Sequence, residues 1–234
     1  MTNSTVTAIV ASPRRQGRFE LLVDGKSVAT LSLEAIERLR LQAGIGYDEA
    51  LALRVEHEAR ALHVFDRALD LLAVRGRAAR ELRRALVRKG EEPEHVDAAI
   101  ERLLALGLLD DAAYARQFAR SKLEGAGLSR RRLQAELSKR GVAREVADDA
   151  IADVLSDDEV DQEAILKRVA ARKLRTLRRL APEVRRRRLY AFLARRGYEP
   201  DDIRRAMDAL GDDVDIADVE GEWRGEEDDD ALTD

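Results

Sequence analysis

The sequence contains no cysteine, which excludes disulfide bonds and metal sites built from thiolates. It has only four prolines and 14 glycines, so few of its 234 residues interrupt regular structure. No apolar run approaches the ~20 residues that a bilayer-spanning helix needs. The N-terminus also lacks the basic-then-apolar layout of a secretion signal. Together these absences predict a cytoplasmic protein that has no membrane partner.

Aromatic residues are scarce as well, at 4% of the chain, while hydrophobic residues make up 45% and charged residues 38%. A core is therefore possible, but it must be built mostly from Leu, Ala, Val and Ile. High charge combined with little Gly and Pro is typical of a mainly helical protein.

Charge is distributed unevenly along the chain. Residues 211–234 hold 12 acidic residues and one basic residue, a net charge of −11. Because the whole chain carries −4, residues 1–210 carry +7. We predict an acidic disordered tail at 211–234 behind a basic body that binds a polyanion. The tail either aids solubility as a solvated end or competes with the polyanion for the basic face.

The first 57 residues differ from the rest and predict a β-rich segment followed by short helices. Strands are expected near Thr5–Ser12, Phe19–Val23 and Ser27–Leu31. Asp24-Gly25 lies between two apolar runs, which is a strong hairpin signal because such turns need positive φ. Ser32 is typical of a helix N-cap, and a second helix start is expected at Asp48.

The remainder of the chain repeats one helix ending three times, as ELRRALVRKG, LQAELSKRG and LYAFLARRG. These segments end at Gly90, Gly141 and Gly197, where a left-handed turn is expected to end each helix. The leucines before each glycine predict a core-facing stripe. Apolar residues six and ten positions after each glycine predict the inner face of a following helix, and these are Val96, Ile100, Ala147, Ile151, Ile203 and Met207.

Another amphipathic stretch precedes each of these segments, which completes a pattern of three helices per repeat. We predict three-helix repeats at 58–109, 110–155 and 161–210. The fold class is therefore mainly α, with tandem three-helix repeats in an elongated, possibly curved array behind a small N-terminal β-hairpin segment. Tandem copies of so small a core gain stability by packing on their neighbours.

Motifs of catalysis are missing, so we expect a binding protein that is not an enzyme and has no cofactor or metal. No phosphate-binding loop of the Gly-x-x-x-x-Gly-Lys-Ser/Thr type occurs. The segment HEARA begins like a zinc-protease signature, but Ala61 stands where the second histidine is required. His63 and His95 are isolated in sequence and are expected at surface or half-buried positions.

Basic residues concentrate on particular helices and are nearly free of acidic neighbours. Between Arg77 and Lys89 there are six basic residues and one Glu, and between Ile165 and Arg196 there are 13 and one. A merely soluble face usually mixes charges of both signs. A solvated face with helix-dipole compensation is the alternative. The candidate partner-binding or polyanion-binding residues are Arg80, Arg83, Arg84, Arg88, Lys89, Arg130, Arg131, Arg132, Lys139, Arg140, Arg175, Arg178, Arg179, Arg185, Arg186, Arg188, Arg195 and Arg196.

The outer positions of these helices are almost all arginine. Readout of base edges needs Asn, Gln or Ser interleaved with Arg. The composition favours contact with phosphates or acidic groups without sequence specificity.

Three segments stand out together: VDG near the N-terminus, DRALDLLAVRGRAARELRRALVRKG, and IERLLALGLLDDAAYARQFAR, in which GLLDD followed by Tyr114-Ala115 is most specific. With these segments the chain resembles the RecX family, bacterial regulators of the recombinase RecA, over about residues 5–210. The resemblance implies tandem three-helix repeats, binding in the groove of the RecA–DNA filament, and inhibition of ATPase, strand exchange and co-protease activity. It also implies a place in DNA repair, homologous recombination and the SOS response.

The partners that follow are RecA and the RecA–DNA filament, with single- or double-stranded DNA as a further candidate, and we expect a monomer. Two alternatives remain open at this point. The chain could be a sequence-nonspecific DNA-binding protein that acts without RecA, or a helical-repeat scaffold for an unrelated acidic protein.

Overall fold

The computed structural model describes residues 4–156 and 161–210, so the predicted acidic tail lies outside the described residues. The chain divides into two compact units. The N-terminal unit comprises Met1–Phe118 and Ala135–Ala150, and the C-terminal unit comprises Ala119–Gln134 and Ile151–Asp234.

The N-terminal unit begins with a three-stranded antiparallel sheet in the order β1-β2-β3. The strands are β1 Val6–Ala11, β2 Arg18–Val23 and β3 Lys26–Ser32. Asp24 and Gly25 connect β2 to β3 with φ values of 48° and 77°. Two positive φ values are what a tight hairpin turn of the twisted type requires, so the predicted hairpin is confirmed.

Two helices follow the sheet, and both begin at the predicted caps. The Ser32 hydroxyl accepts a hydrogen bond from the Ala35 N–H at 3.2 Å, at the start of α1 (Leu33–Arg38). The Asp48 carboxylate accepts one from the Leu51 N–H at 2.8 Å, at the start of α2 (Glu49–Val74). Because α2 contains no Gly or Pro, it continues unbroken for 26 residues. The predicted boundary after residue 57 therefore lies within one helix.

Eight more helices complete the described fold. Their bounds are α3 Ala79–Arg88, α4 Pro93–Ala105, α5 Asp111–Ser121, α6 Arg130–Arg140, α7 Arg144–Leu155, α8 Gln162–Thr176, α9 Pro182–Arg195 and α10 Pro200–Leu210. A π-helical turn at Lys122–Ala126 directly follows α5. The end of α2 with α3 and α4, then α5–α7, then α8–α10 form the three successive helix triplets. The mainly helical class with an N-terminal sheet is confirmed.

Burial follows the predicted stripes. The paired leucines before each repeated glycine are at most 3% exposed, and the six apolar positions predicted for the following helices are at most 9% exposed. In the N-terminal unit, α3 and α4 share a core with α2 that includes Phe65, Leu82 and Leu103. In the C-terminal unit, Leu193 and Ile203 lie in a second core built from α8, α9 and α10.

A partly buried ion-pair cluster joins α2 to β2 and to the loop before β2. Arg18, on β2, donates to the Asp66 carboxylate of α2 at 2.6 Å, and Arg15 lies 3.0 Å from the same carboxylate. Burial alone raises the pKa of Asp66, but the hydrogen bonds and positive charges of Arg18 and Arg15 outweigh it. The net pKa of Asp66 is lowered.

The three repeated glycines share a backbone conformation and differ in their surroundings. Gly90, Gly141 and Gly197 have φ values of 90°, 90° and 87°. A Cβ added at Gly90 would meet nothing within 4 Å, whereas one at Gly141 would lie 2.5 Å from the Cβ of Arg80. A Cβ at Gly197 would lie 2.9 Å from the Cβ of Arg132. The second and third glycines therefore allow a helix end to pack on the middle helix of the preceding triplet.

We expect Gly141→Ala to destabilise the protein by at least ~2 kcal/mol more than Gly90→Ala. Both substitutions place alanine at positive φ, at a cost of about 1–2 kcal/mol, but only Gly141→Ala forces a Cβ against the stem of Arg80. Urea unfolding followed by helical circular dichroism measures both. Equal losses of stability would contradict the packing role of Gly141.

We expect Asp66→Asn to lower the free energy of unfolding by about 1–3 kcal/mol at neutral pH, since it weakens charge-assisted hydrogen bonds. A carboxylate with a lowered pKa stabilises the fold above its unfolded pKa and loses this effect as pH falls through the folded value. The difference between wild type and Asp66→Asn should therefore shrink below about pH 4. A constant difference from pH 7 to pH 3, in urea unfolding at each pH, would contradict it.

Candidate binding surface

The basic residues of α3 and its C-cap divide into side chains that have a hydrogen-bond partner and side chains that have none among the described residues. Arg83 donates to both carboxylate oxygens of Asp97, on α4, at 2.6 and 3.0 Å. This hydrogen bond, together with the charge of Arg83, lowers the pKa of Asp97. Arg84 donates to the main-chain carbonyl of Lys139 at 2.9 Å. Arg88 and Lys89 are exposed and make no side-chain hydrogen bond or ion pair within residues 4–156 and 161–210.

The C-terminal end of α6 meets α3 in the N-terminal unit and forms a concave basic site of about 910 Å³. We name this site the arginine cleft. Its lining residues are Arg75, Glu81, Arg83, Arg84, Val87, Arg88, Lys139 and Arg140. Five of the eighteen predicted residues therefore converge here. Arg75 is an addition that the sequence analysis missed, because it lies in the loop after α2 and outside the repeated helix ending.

Glu81 is the acidic residue among those that line the cleft. Its Oε1 atom accepts hydrogen bonds from Arg75 and from Arg77, the latter at 3.3 Å. Its Oε2 atom is buried and has no hydrogen-bond partner among the described residues. An unsatisfied buried carboxylate oxygen carries a free-energy cost.

Several contacts fix Arg140 at the edge of the cleft. Its Nη1 atom donates to the Glu136 carboxylate at 2.8 Å, and its guanidinium lies 4.4 Å from the centre of the Phe118 ring. Lys139 lies 3.6 Å from the same glutamate. Arg140, like Arg83 and Arg84, is therefore held in place before any partner arrives.

In the C-terminal unit, several predicted residues hold structure together. Arg196 donates to the Ala126 carbonyl at 2.8 Å and stacks 3.7 Å from the centre of the Phe192 ring. Arg131 lies 3.5 Å from Glu199, and Arg186 lies 3.5 Å from Asp208. Arg132 packs against Gly197, and Arg185 is half-buried on α9.

The other predicted residues are exposed, lie on helices or in the turn after α8, and have no partner in the described part of the chain. Arg80 is among them, although its stem contacts Gly141. The exposed residues of the C-terminal unit are Arg130, Arg175, Arg178, Arg179, Arg188 and Arg195. These side chains remain available to a partner.

The described residues meet the requirements of neither a metal site nor a membrane-spanning helix. Within residues 4–156 and 161–210, no group of three or more His, Asp or Glu is placed to hold a metal ion. His95 is 5% exposed, which differs from the surface or half-buried position expected for it, and its ring lies 4.8 Å from that of His57. The two rings come together because α2 and α4 pack side by side. In the same ranges, no helix is both long and apolar enough to cross a membrane.

Sequence models of one protein family match all three helix triplets. They are described as the first, second and third three-helix domains of RecX, and they match residues 65–103, 110–151 and 161–207. The chain is 36% identical over 143 residues to Regulatory protein RecX of Pelodictyon phaeoclathratiforme, which covers 61% of this chain and 86% of that protein. It is 40% identical over 152 residues to the protein of the same name from Halorhodospira halophila, covering 64% and 89%.

Solved structures share the fold. A crystal structure of regulatory protein RecX aligns with a TM-score of 0.70 and 22% identity, covering 88% of this chain and 99% of that one. The crystal structure of RecX from Lactobacillus salivarius aligns with a TM-score of 0.53 and 19% identity, covering 64% and 96%. At these identities the likeness concerns the fold.

Arg195 and Arg196 are adjacent, but Arg195 is exposed whereas Arg196 contacts the Ala126 carbonyl and the Phe192 ring. Substituting each in turn compares an arginine that is free to bind a partner with one that stabilises the fold. We expect Arg196→Ala to lower the free energy of unfolding by about 1–3 kcal/mol, because it removes a carbonyl hydrogen bond and a cation–π contact. Arg195→Ala should change it by less than about 0.5 kcal/mol, since its side chain is exposed. Thermal or urea unfolding measures both, and equal effects would refute the distinction.

Proposed function

Because this chain belongs to the RecX family of regulatory proteins, we propose that it binds RecA and RecA–DNA filaments and mainly inhibits their recombinase, ATPase and co-protease activities. We further propose that it acts in the cytoplasm, by binding alone, without a catalytic residue or a cofactor.

The observation that carries the proposal is the set of exposed basic side chains without described partners. All three predicted repeats contribute to this set, with Arg88 in the first, Arg130 in the second and Arg179 in the third. A filament of RecA on DNA repeats the same acidic and phosphate groups along its length. Several weak contacts made at once raise the effective affinity well above that of any one contact.

A second candidate function is sequence-nonspecific DNA binding without RecA. The arginines exposed on α8 and in the segment after it, Arg175, Arg178 and Arg179, favour this candidate because they suit phosphates. The affinity for bare DNA would then fall steeply with salt, with a slope of about −0.7 to −0.9 per phosphate contacted. A flat salt dependence would count against it.

The test of the main proposal is a titration of this protein into RecA that hydrolyses ATP on single-stranded DNA. We expect hydrolysis to fall at substoichiometric ratios of this protein to RecA, because one bound molecule would affect more than one RecA subunit. Unchanged hydrolysis up to an excess of this protein would overturn the proposal.

A charge-reversal variant with a matched control sharpens the same assay. Reversal of Arg88, Arg179 and Arg188 to Glu should weaken inhibition by ~10-fold or more, because each introduced carboxylate repels a phosphate or carboxylate of the filament. Reversal of Arg14, Arg40 and Arg54 changes the net charge equally at exposed positions outside the candidate surface. The control should inhibit nearly as well as wild type, and an equal loss in both variants would show that only net charge matters.

A further inference from the structure

We propose that the arginine cleft is a docking site for an acidic polypeptide segment of the protein partner, and that nucleic acid binds elsewhere on the chain. The identity of that partner rests on the proposed function, whereas the preference of the cleft for carboxylate-bearing peptide rests on its own geometry.

Charge and shape are the first argument. Six basic side chains line the cleft together with Glu81. Asp97 and Glu136 neutralise two of the basic charges from the edge, and the remaining excess of positive charge favours an anionic ligand. The site is an open depression with a volume of about 910 Å³. Such a shape suits an extended chain segment better than an enclosed small molecule.

Preorganised arginines are the second argument. Arg83 already binds the Asp97 carboxylate through Nε and Nη2, and Arg140 binds that of Glu136. Arg84 is held by the Lys139 carbonyl. Because these side chains are held in the free protein, binding a further carboxylate costs less side-chain entropy. Arginine is enriched at protein interfaces and lysine depleted, and the cleft has five arginines and one lysine.

Glu81 provides the third argument, because it distinguishes a peptide from a phosphate backbone. Its Oε2 atom is buried without a hydrogen-bond partner among the described residues, and Glu81 lines the cleft. Because this oxygen is buried, a ligand reaches it only when the Glu81 side chain turns toward the cleft. In that position a main-chain N–H of a polypeptide donates to it, whereas a phosphodiester backbone has no hydrogen-bond donor and is repelled by it. Glu81 therefore favours peptide over phosphate.

The composition of the lining supports the same choice. None of the described residues that line the cleft is aromatic, so a single strand of nucleic acid would find no ring on which its bases could stack. None is Asn or Gln, the residues that read adenine edges. Val87 is 37% exposed and offers an apolar contact to the side chains of a bound peptide.

The experiment measures binding of two fluorescent probes to the full chain by anisotropy. One probe is a peptide of about twelve residues, mostly glutamate with interspersed leucine, and the other is an oligothymidylate of similar charge. The cleft variant combines Arg88→Glu and Lys139→Glu. The control variant combines Arg175→Glu and Arg179→Glu, exposed residues outside the cleft. Each variant keeps residues 211–234, so competition from that acidic segment is equal.

We expect the cleft variant to lose ~10-fold or more in affinity for the peptide, while the control variant loses less than about 2-fold. For the oligonucleotide we expect the control variant to lose at least as much affinity as the cleft variant. Equal peptide losses in both variants would overturn the proposal. So would a larger loss of oligonucleotide than of peptide affinity in the cleft variant, or no peptide binding by wild type.

The two proposals can fail separately. If wild type leaves RecA ATPase activity unchanged but the cleft variant alone loses the peptide, the proposed function fails and the assignment of the cleft stands. If wild type inhibits RecA and the cleft variant binds the peptide as wild type does, the proposed function stands and the assignment of the cleft fails. Helical circular dichroism verifies that both variants fold.

Discussion

The contact on which the rest of the structure depends is the packing of a helix end, without a side chain, against the middle helix of the preceding triplet. Gly141 lies on the stem of Arg80, and Gly197 lies on Arg132 and Ser129. Each contact needs a positive φ and the absence of a Cβ, which glycine alone supplies without strain. Small helix triplets have little core of their own, so their stability depends on such contacts with their neighbours.

That packing also creates the candidate site. When the end of α6 meets α3, it brings Lys139 and Arg140 beside Arg83, Arg84 and Arg88. Like charges brought together in this way repel, and the fold offsets the repulsion with carboxylates and carbonyls at the edge, such as Asp97 and the Lys139 main chain. The same contact therefore serves stability and concentrates positive charge in one concave place, which is a sound basis for a binding surface.

The arginines of the chain have two roles that sequence alone does not separate. Arg195 and Arg196 are adjacent and chemically identical, yet one is exposed and the other is held between the Ala126 carbonyl and the Phe192 ring. Counting acidic residues one helical turn away predicts that the mid-helix arginines are unpaired. The structure shows that Arg83 has an acidic partner in Asp97 on α4, and that Arg131 has one in Glu199 just before α10.

Local patterns in the sequence determined the hairpin at Asp24-Gly25, the caps at Ser32 and Asp48, the buried stripes and the three glycine turns, because each depends on neighbours a few residues away. The basic character of the outer faces was equally visible. Tertiary structure alone decided that α2 runs unbroken from Glu49 to Val74, that His57 and His95 meet, and which arginines share a cleft. These features depend on residues distant in sequence, whose proximity is fixed only when the helices pack.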